Sequence, residues 1–235
     1  MNKLLVITGG TKGIGKAIIE LFAGSGFDII TCSRNYNDLI QLKDKLEEDN
    51  PGIKIGIFES DLSTKEGVNK FLSYIKEFNQ VVDILINNTG IFLPGNIHNE
   101  DDGKLEKMID TNLYSAYRMT RGLVLDMMKR KQGYIFNICS IASIIAYENG
   151  GSYSISKFAM YGMTKVLREE MKPYNIKVTA VLPGATLTAS WDGIELPEER
   201  LMKSEDVALS IWNAYQLSPN SVVEDIVLRP QLGDL

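Results

Sequence analysis

Histidine is nearly missing from this 235-residue sequence: His98 is the only one, and it lies in a polar stretch. A histidine-based hydrolytic triad is therefore not expected, and proton transfer falls to other side chains. Cysteine is almost as scarce. Cys32 and Cys139 cannot build a disulfide framework, and no CxxC or Cys/His cluster has the spacing of a metal site, so no metal is expected. Two free thiols fit a reducing cytoplasm. There is no basic tract either: 25 Lys and Arg stand against 30 Asp and Glu, a net charge of −5 spread along the chain. Neither nucleic acid nor an anionic membrane is an expected partner. Long apolar runs are lacking as well. The amino terminus carries only Leu4 to Ile7, and the richest stretch, Tyr134 to Tyr147, is broken by Asn137, Ser140 and Ser143. Neither a signal peptide nor a transmembrane helix is expected. No Pro/Ser-rich linker, repeat or low-complexity tract divides the chain, so residues 1–235 are expected to form one domain.

What is present is ample apolar material, 44% of residues, with 23% charged. Short apolar runs recur at Leu4, Phe27, Ile53, Val81, Tyr134, Ile176 and Val222, separated by segments long enough for crossover helices. Helical periodicity shows in Ile18, Leu21 and Phe22 and in Leu39, Leu42 and Leu46. Strands buried on both faces read as continuous apolar runs, and parallel strands need such crossovers. The pattern predicts an α/β fold: a doubly wound, Rossmann-type parallel sheet of seven strands with helices on both faces.

The first strand runs into TGGTKGIG, which places Gly9, Gly13 and Gly15 in a GxxxGxG pattern at a strand-to-helix turn. Glycines there let backbone N–H groups and the helix amino terminus approach a pyrophosphate. After the second strand, where an NAD-binding chain usually offers an acid to the ribose diol, stand Cys32, Ser33 and Arg34, with the first acid only at Asp38. A 2′-phosphate is expected to meet no carboxylate nearby and to pair with Arg34 and Lys12, so NADP(H) is the expected cofactor.

Further motifs follow in order: Asn87, Asn88, Thr89 and Gly90 after the fourth strand, Asn112 in the next helix, and Ser140 after the fifth strand. Tyr153 and Lys157 form a YxxxK pair, and Pro183, Gly184, Thr186 and Thr188 a turn after the sixth strand. In this arrangement the chain resembles the short-chain dehydrogenase/reductase family over nearly its whole length. Its ending, VVEDIVLRPQLGDL, resembles bacterial sepiapterin-reductase-type members. The resemblance implies a catalytic set of Asn112, Ser140, Tyr153 and Lys157, with Asn112 positioning a water in a proton relay. It also implies a cofactor site of Gly9, Thr11, Lys12, Gly13, Ile14, Gly15, Ser33, Arg34, Asp61, Leu62, Asn88, Thr89, Gly90, Tyr153, Lys157, Pro183, Gly184, Thr186 and Thr188. Asp61 matches the family's adenine-contacting aspartate, and Lys157 the lysine that holds the nicotinamide ribose.

YxxxK alone carries little weight. Ten tyrosines and eighteen lysines in 235 residues predict about 0.8 such pairs by chance, and Tyr161 with Lys165 forms a second. The two pairs lie roughly 12 Å apart along one helix. Only Tyr153 has a serine at the family's separation, so Tyr153 is assigned to catalysis and Tyr161 to packing or surface. A phenol titrates near 10, and Lys157 one turn onward supplies the positive charge that stabilises phenolate. Cys139 reads as a buried strand-end thiol rather than a nucleophile.

The expected reaction is NADPH-dependent reduction of a small carbonyl substrate, with 3-oxoacyl-carrier-protein reduction and non-catalytic NADP binding as alternatives. Ser140, Tyr147, Tyr153 and Trp191 are candidate substrate contacts, and residues 185–203 a candidate lid, with Leu196 a further apolar contact. The alternative reading of Trp191 is a cap on the core. Asp192, Glu195, Glu198 and Glu199 offer no attraction to an acidic carrier protein. A homodimer or homotetramer is expected through the helices after strands four and five, with Met119, Leu123 and Met127 as interface candidates.

Overall fold

In the computed structural model the residues described are 2–188 and 197–233. The apolar runs become strands because each can be covered from both sides. β1 (Leu4–Thr8) is buried at all positions, and β5 (Gly133–Ile138) and β6 (Ile176–Pro183) at nearly all. The others are β2 (Asp28–Ser33), β3 (Ile55–Glu59), β4 (Val82–Asn87) and β7 (Asp225–Leu228). They form one sheet in the order β3-β2-β1-β4-β5-β6-β7, every pairing parallel. This is the predicted seven-stranded architecture. The order reverses between β1 and β4, which opens a crevice at the carboxyl ends of those strands.

The crossovers are α1 (Gly13–Gly24), α2 (Tyr36–Asp49), α3 (Lys65–Glu77), α4 (Lys104–Met108), α5 (Ser115–Arg130), α6 (Gly151–Met171) and α7 (Ser204–Gln216). Local chemistry sets their starts. The Asn35 side chain caps α2 by accepting from the N–H groups of Asn37 and Asp38, and Thr64 caps α3 through Gly67. On one side of the sheet Phe22 of α1 packs edge-on against Trp212 of α7, ring centroids 5.0 Å apart, beside Phe27. Burying a ring of that size stabilises the fold by about 2–3 kcal/mol. On the other side Val68 and Phe71 of α3 meet Met119, Leu123 and Met127 of α5.

That packing corrects one expectation. Met119, Leu123 and Met127 belong to the monomer's own core, and the exposed large apolar side chains of α5 are instead Tyr117 and Leu125. The period of α5 is right but the face was misread, because an apolar stripe fits a core and an interface equally well. Two boundaries also moved. The chain from Val222 becomes strand only at Asp225, where pairing with β6 begins as Ala180 N donates to the Glu224 carbonyl at 3.0 Å; before it the Val223 carbonyl accepts from Thr179 Oγ1. The helix expected around Asn112 is broken into α4, a π-helical segment Ile109–Tyr114, and α5. Among the described residues no helix is long and apolar enough to cross a membrane.

Candidate active site

Because the strands are parallel, the loops after β1 to β6 converge on one edge of the sheet, and a cavity of about 600 Å³ opens there. Its floor at one end is the glycine loop. Gly9 (φ +69°) and Gly13 (φ +51°) adopt the left-handed conformation, and a Cβ on Gly15 would stand 2.3 Å from the Gly9 carbonyl oxygen. Asn88 fixes this geometry: its Nδ2 donates to the carbonyls of Thr8 (3.0 Å) and Gly9 (2.8 Å), while Thr8 Oγ1 accepts from the N–H groups of Asn88 and Thr89. The first turn of α1 has no side-chain cap and no acid, so its N–H groups are free to meet an anion.

Thr11, Lys12, Ile14, Ser33, Arg34, Asp61, Leu62 and Gly90 line the same cavity. Arg34 is exposed and makes no ion pair among the described residues. Lys12 does: its Nζ lies 3.3 Å from Asp38 Oδ2. The expectation that no carboxylate stands near the phosphate-binding cations is thereby corrected. The first turn of α2 folds Asp38 back toward the glycine loop, which distance along the sequence does not reveal.

At the other end Ser140, Tyr147, Tyr153, Lys157, Pro183, Gly184, Thr186 and Thr188 join the lining. Ser140 is oriented by a capping box on a short 3₁₀ turn. Its Oγ accepts from Ala142 N (3.1 Å), and its N–H donates to Ser143 Oγ (3.2 Å). Tyr153 lies in the first turn of α6, and Lys157, one turn on, is buried with Nζ donating to the Ile138 carbonyl at 2.9 Å. That ammonium stands 5.8 Å from the Tyr153 ring centre. Burial raises the Tyr153 phenol above its ordinary range, opposed by its hydrogen bond with Ser140, and burial lowers the Lys157 ammonium. Thr188 closes on the glycine loop from the far wall: a Cβ on Gly13 would come within 2.9 Å of its methyl group.

Asn112 is fully buried and lies behind the cavity wall. Its Oδ1 accepts from Ile91 N (2.7 Å), and its Nδ2 donates to the Ile91 carbonyl (3.0 Å) and Ser156 Oγ (2.9 Å). Ser156 Oγ donates in turn to the Tyr153 carbonyl at 2.7 Å. Both ends of the Asn112 amide are thus committed to protein partners that run to Tyr153. Tyr161 points elsewhere, its hydroxyl donating to Asp225 Oδ2 at 2.7 Å on the sheet's edge strand. Cys139 is buried and its thiol pushed up to about 11, unlike a nucleophile. Trp191 and Leu196 lie outside the described residues.

Sequence reasoning missed Phe92, whose ring meets Tyr153 edge-on with centroids 4.9 Å apart, and the apolar wall of Ile91, Ile141 and Ile145. No motif marks these positions; only the folding of the loop after β4 toward α6 brings Phe92 in. Gly10 was also passed over, although a Cβ there would stand 2.3 Å from Thr31 Oγ1 and Ile19 Cδ1.

The chain is similar along its length to known proteins. Residues 3–199 match the family model described as short chain dehydrogenase. A sepiapterin reductase of Chlorobaculum tepidum is 31% identical over 243 residues, covering 100% of this chain and 99% of the relative. A 3alpha-hydroxysteroid dehydrogenase of Mediterraneibacter gnavus is 33% identical, covering 80% and 75%. Among solved structures, L-sorbose reductase from Gluconobacter frateurii, complexed with NADPH and L-sorbose, superposes with a TM-score of 0.87 at 27% identity, covering 97% and 95%. With the sheet order, the glycine loop and these likenesses in agreement, the chain belongs to the short-chain dehydrogenase family of oxidoreductases.

Proposed function

We propose that this chain is an NADP(H)-dependent carbonyl reductase that uses Tyr153 as its proton donor. The observation that carries this reading is the meeting of Ser140, Tyr153 and Lys157 in one cavity with the glycine loop and the uncapped start of α1. The chain fits the dinucleotide at each point of contact. The N–H groups at the start of α1 would hold the pyrophosphate, Arg34 and Lys12 the 2′-phosphate, Asp61 the adenine, Lys157 the nicotinamide ribose and Thr188 the carboxamide. When bound, the cofactor supplies a hydride to the carbonyl carbon.

The chain supplies the rest. Ser140 Oγ donates a hydrogen bond to the carbonyl oxygen, where negative charge develops, and Tyr153 delivers its proton to that atom. A phenol raised by burial is fully protonated at neutral pH and thus ready to donate. The Lys157 ammonium then stabilises the phenolate that remains. Asn112 is a positioning residue, linking the loop at Ile91 to Ser156 and through it to the backbone of Tyr153.

The substrate end of the cavity is walled by Phe92, Ile141, Ile145 and Tyr147, with no charged side chain among the described residues there except Lys157. An uncharged ring or short-chain ketone fits this wall better than an acyl group on an acidic carrier. Sepiapterin-like pteridines and diketones are the first candidates, and a screen of NADPH oxidation over pteridines, diketones, quinones and acetoacetyl thioesters tests the reading. Turnover of thioesters alone would overturn this substrate class; no turnover of any carbonyl, with NADPH bound, would favour a non-catalytic NADP-binding protein. Two buried thiols fit the cytoplasm as its compartment. Self-association would use the outward apolar side chains Tyr117 and Leu125 of α5 and Ile155, Phe158 and Val166 of α6. Sedimentation showing only a 26.2 kDa species at micromolar concentration would refute it.

A further inference from the structure

The two cations at the adenosine end of the cavity are not equivalent. Arg34 is exposed and makes no ion pair among the described residues, whereas Lys12 is held by Asp38 at 3.3 Å. We propose that Asp38 restrains cofactor selectivity, drawing the Lys12 ammonium away from a 2′-phosphate and placing a negative charge beside it. This rests on the NADP(H) reading above.

The backbone around Asp38 is set relative to the loop that carries Lys12. The glycine loop and the end of β2 are sewn together: Gly9 N donates to the Cys32 carbonyl at 3.1 Å, and Thr11 Oγ1 to Ser33 Oγ at 3.4 Å. Ser33 Oγ also accepts from Asn35 N at 3.3 Å, and Asn35 Oδ1 accepts from Asp38 N at 3.3 Å. A chain of hydrogen bonds thus sets the Asp38 backbone relative to the loop that carries Lys12. The Asp38 side chain is 26% exposed and that of Lys12 68%, so the carboxylate is the better-held partner.

The consequence follows from charge. NADPH differs from NADH here by a phosphate that is close to dianionic at neutral pH. It must compete with Asp38 for Lys12 and accept a carboxylate nearby, while the neutral 2′-hydroxyl of NADH does neither. Asp38 therefore weakens NADPH binding selectively and narrows the ratio between the two cofactors.

The experiment is a set of dissociation constants for NADPH and NADH, by calorimetry at low ionic strength, on the full chain and on Asp38→Asn, Lys12→Gln and the double variant. Asp38→Asn should tighten NADPH about two- to fivefold and leave NADH unchanged. The gain should shrink when Lys12 is already replaced. Asp38→Ser, which suits the first turn of a helix, gives the same readout if the asparagine variant folds poorly. Unchanged NADPH affinity, or equal shifts for both cofactors, would overturn the proposal. The wild-type NADPH-to-NADH ratio tests the NADP(H) reading, and the shift in that ratio tests the restraint, so the two can fail separately.

Discussion

Phe92 stands edge-on to Tyr153, its ring centre 4.9 Å away and its plane turned by 77°. The contact joins the loop after β4 to the first turn of α6, so the proposed proton donor has an apolar partner on its cavity side. Replacing Phe92 by Ala should lower kcat/KM about two- to tenfold, the range of an aromatic pair, with NADPH affinity unchanged. Steady-state kinetics beside cofactor titration check this. A loss confined to NADPH binding would show that Phe92 serves the cofactor instead.

The direction of pH dependence follows from Tyr153. Its phenol titrates above the ordinary 10.0 because it is buried, so the protonated donor is present throughout the neutral range and lost only as pH rises through that raised value. Lys157, lowered from 10.5, loses its ammonium on the alkaline side as well. Reduction should therefore be level through the neutral range and decline on the alkaline side, while oxidation of the product alcohol, which needs phenolate, should rise with pH. A reduction rate that climbs through the alkaline range would contradict the assignment of the donor.

Alkaline stability should fall for a separate reason. Burial pushes Cys32 up to about 12 and Cys139 up to about 11, from 9.0. The unfolded chain releases these protons near pH 9 while the folded chain keeps them. The stability present below pH 9 is thus lost progressively between 9 and the folded values. Urea midpoints at about pH 8 and about pH 10 should differ more for the wild type than for Cys32→Ala. Equal differences would mean that other groups control the alkaline loss.

Much of this architecture was legible because its determinants are local. The strands are continuous apolar runs, and the glycines of the first turn answer to steric demands such as the 2.3 Å approach at Gly15. Ser140, Tyr153 and Lys157 were candidates because their order and spacing resemble the family's, and the fold brings all three to one cavity. What could not be read depends on how separate elements lie against one another. Asp38 reaches Lys12 only because α2 turns back toward α1, and Phe92 reaches Tyr153 only because its loop folds over α6. Met119 was misjudged for a related reason: an apolar stripe does not say whether its own chain or a second copy will cover it.

The two YxxxK pairs give the most direct test, because the structure sends them to different places. Tyr153 faces the cavity with Ser140, whereas Tyr161 donates to Asp225 and has Lys165 4.5 Å from its ring centre. Tyr161→Phe should keep full turnover and lose about 1 kcal/mol of stability with the bond to Asp225. Tyr153→Phe keeps the ring but removes the proton, so the rate of NADPH-dependent carbonyl reduction should fall by roughly 10² or more while NADPH still binds. Side-by-side measurement of that rate in both variants is decisive: a deep loss in Tyr153→Phe alone is the predicted result. Wild-type turnover in Tyr153→Phe, or the larger loss in Tyr161→Phe, would contradict it.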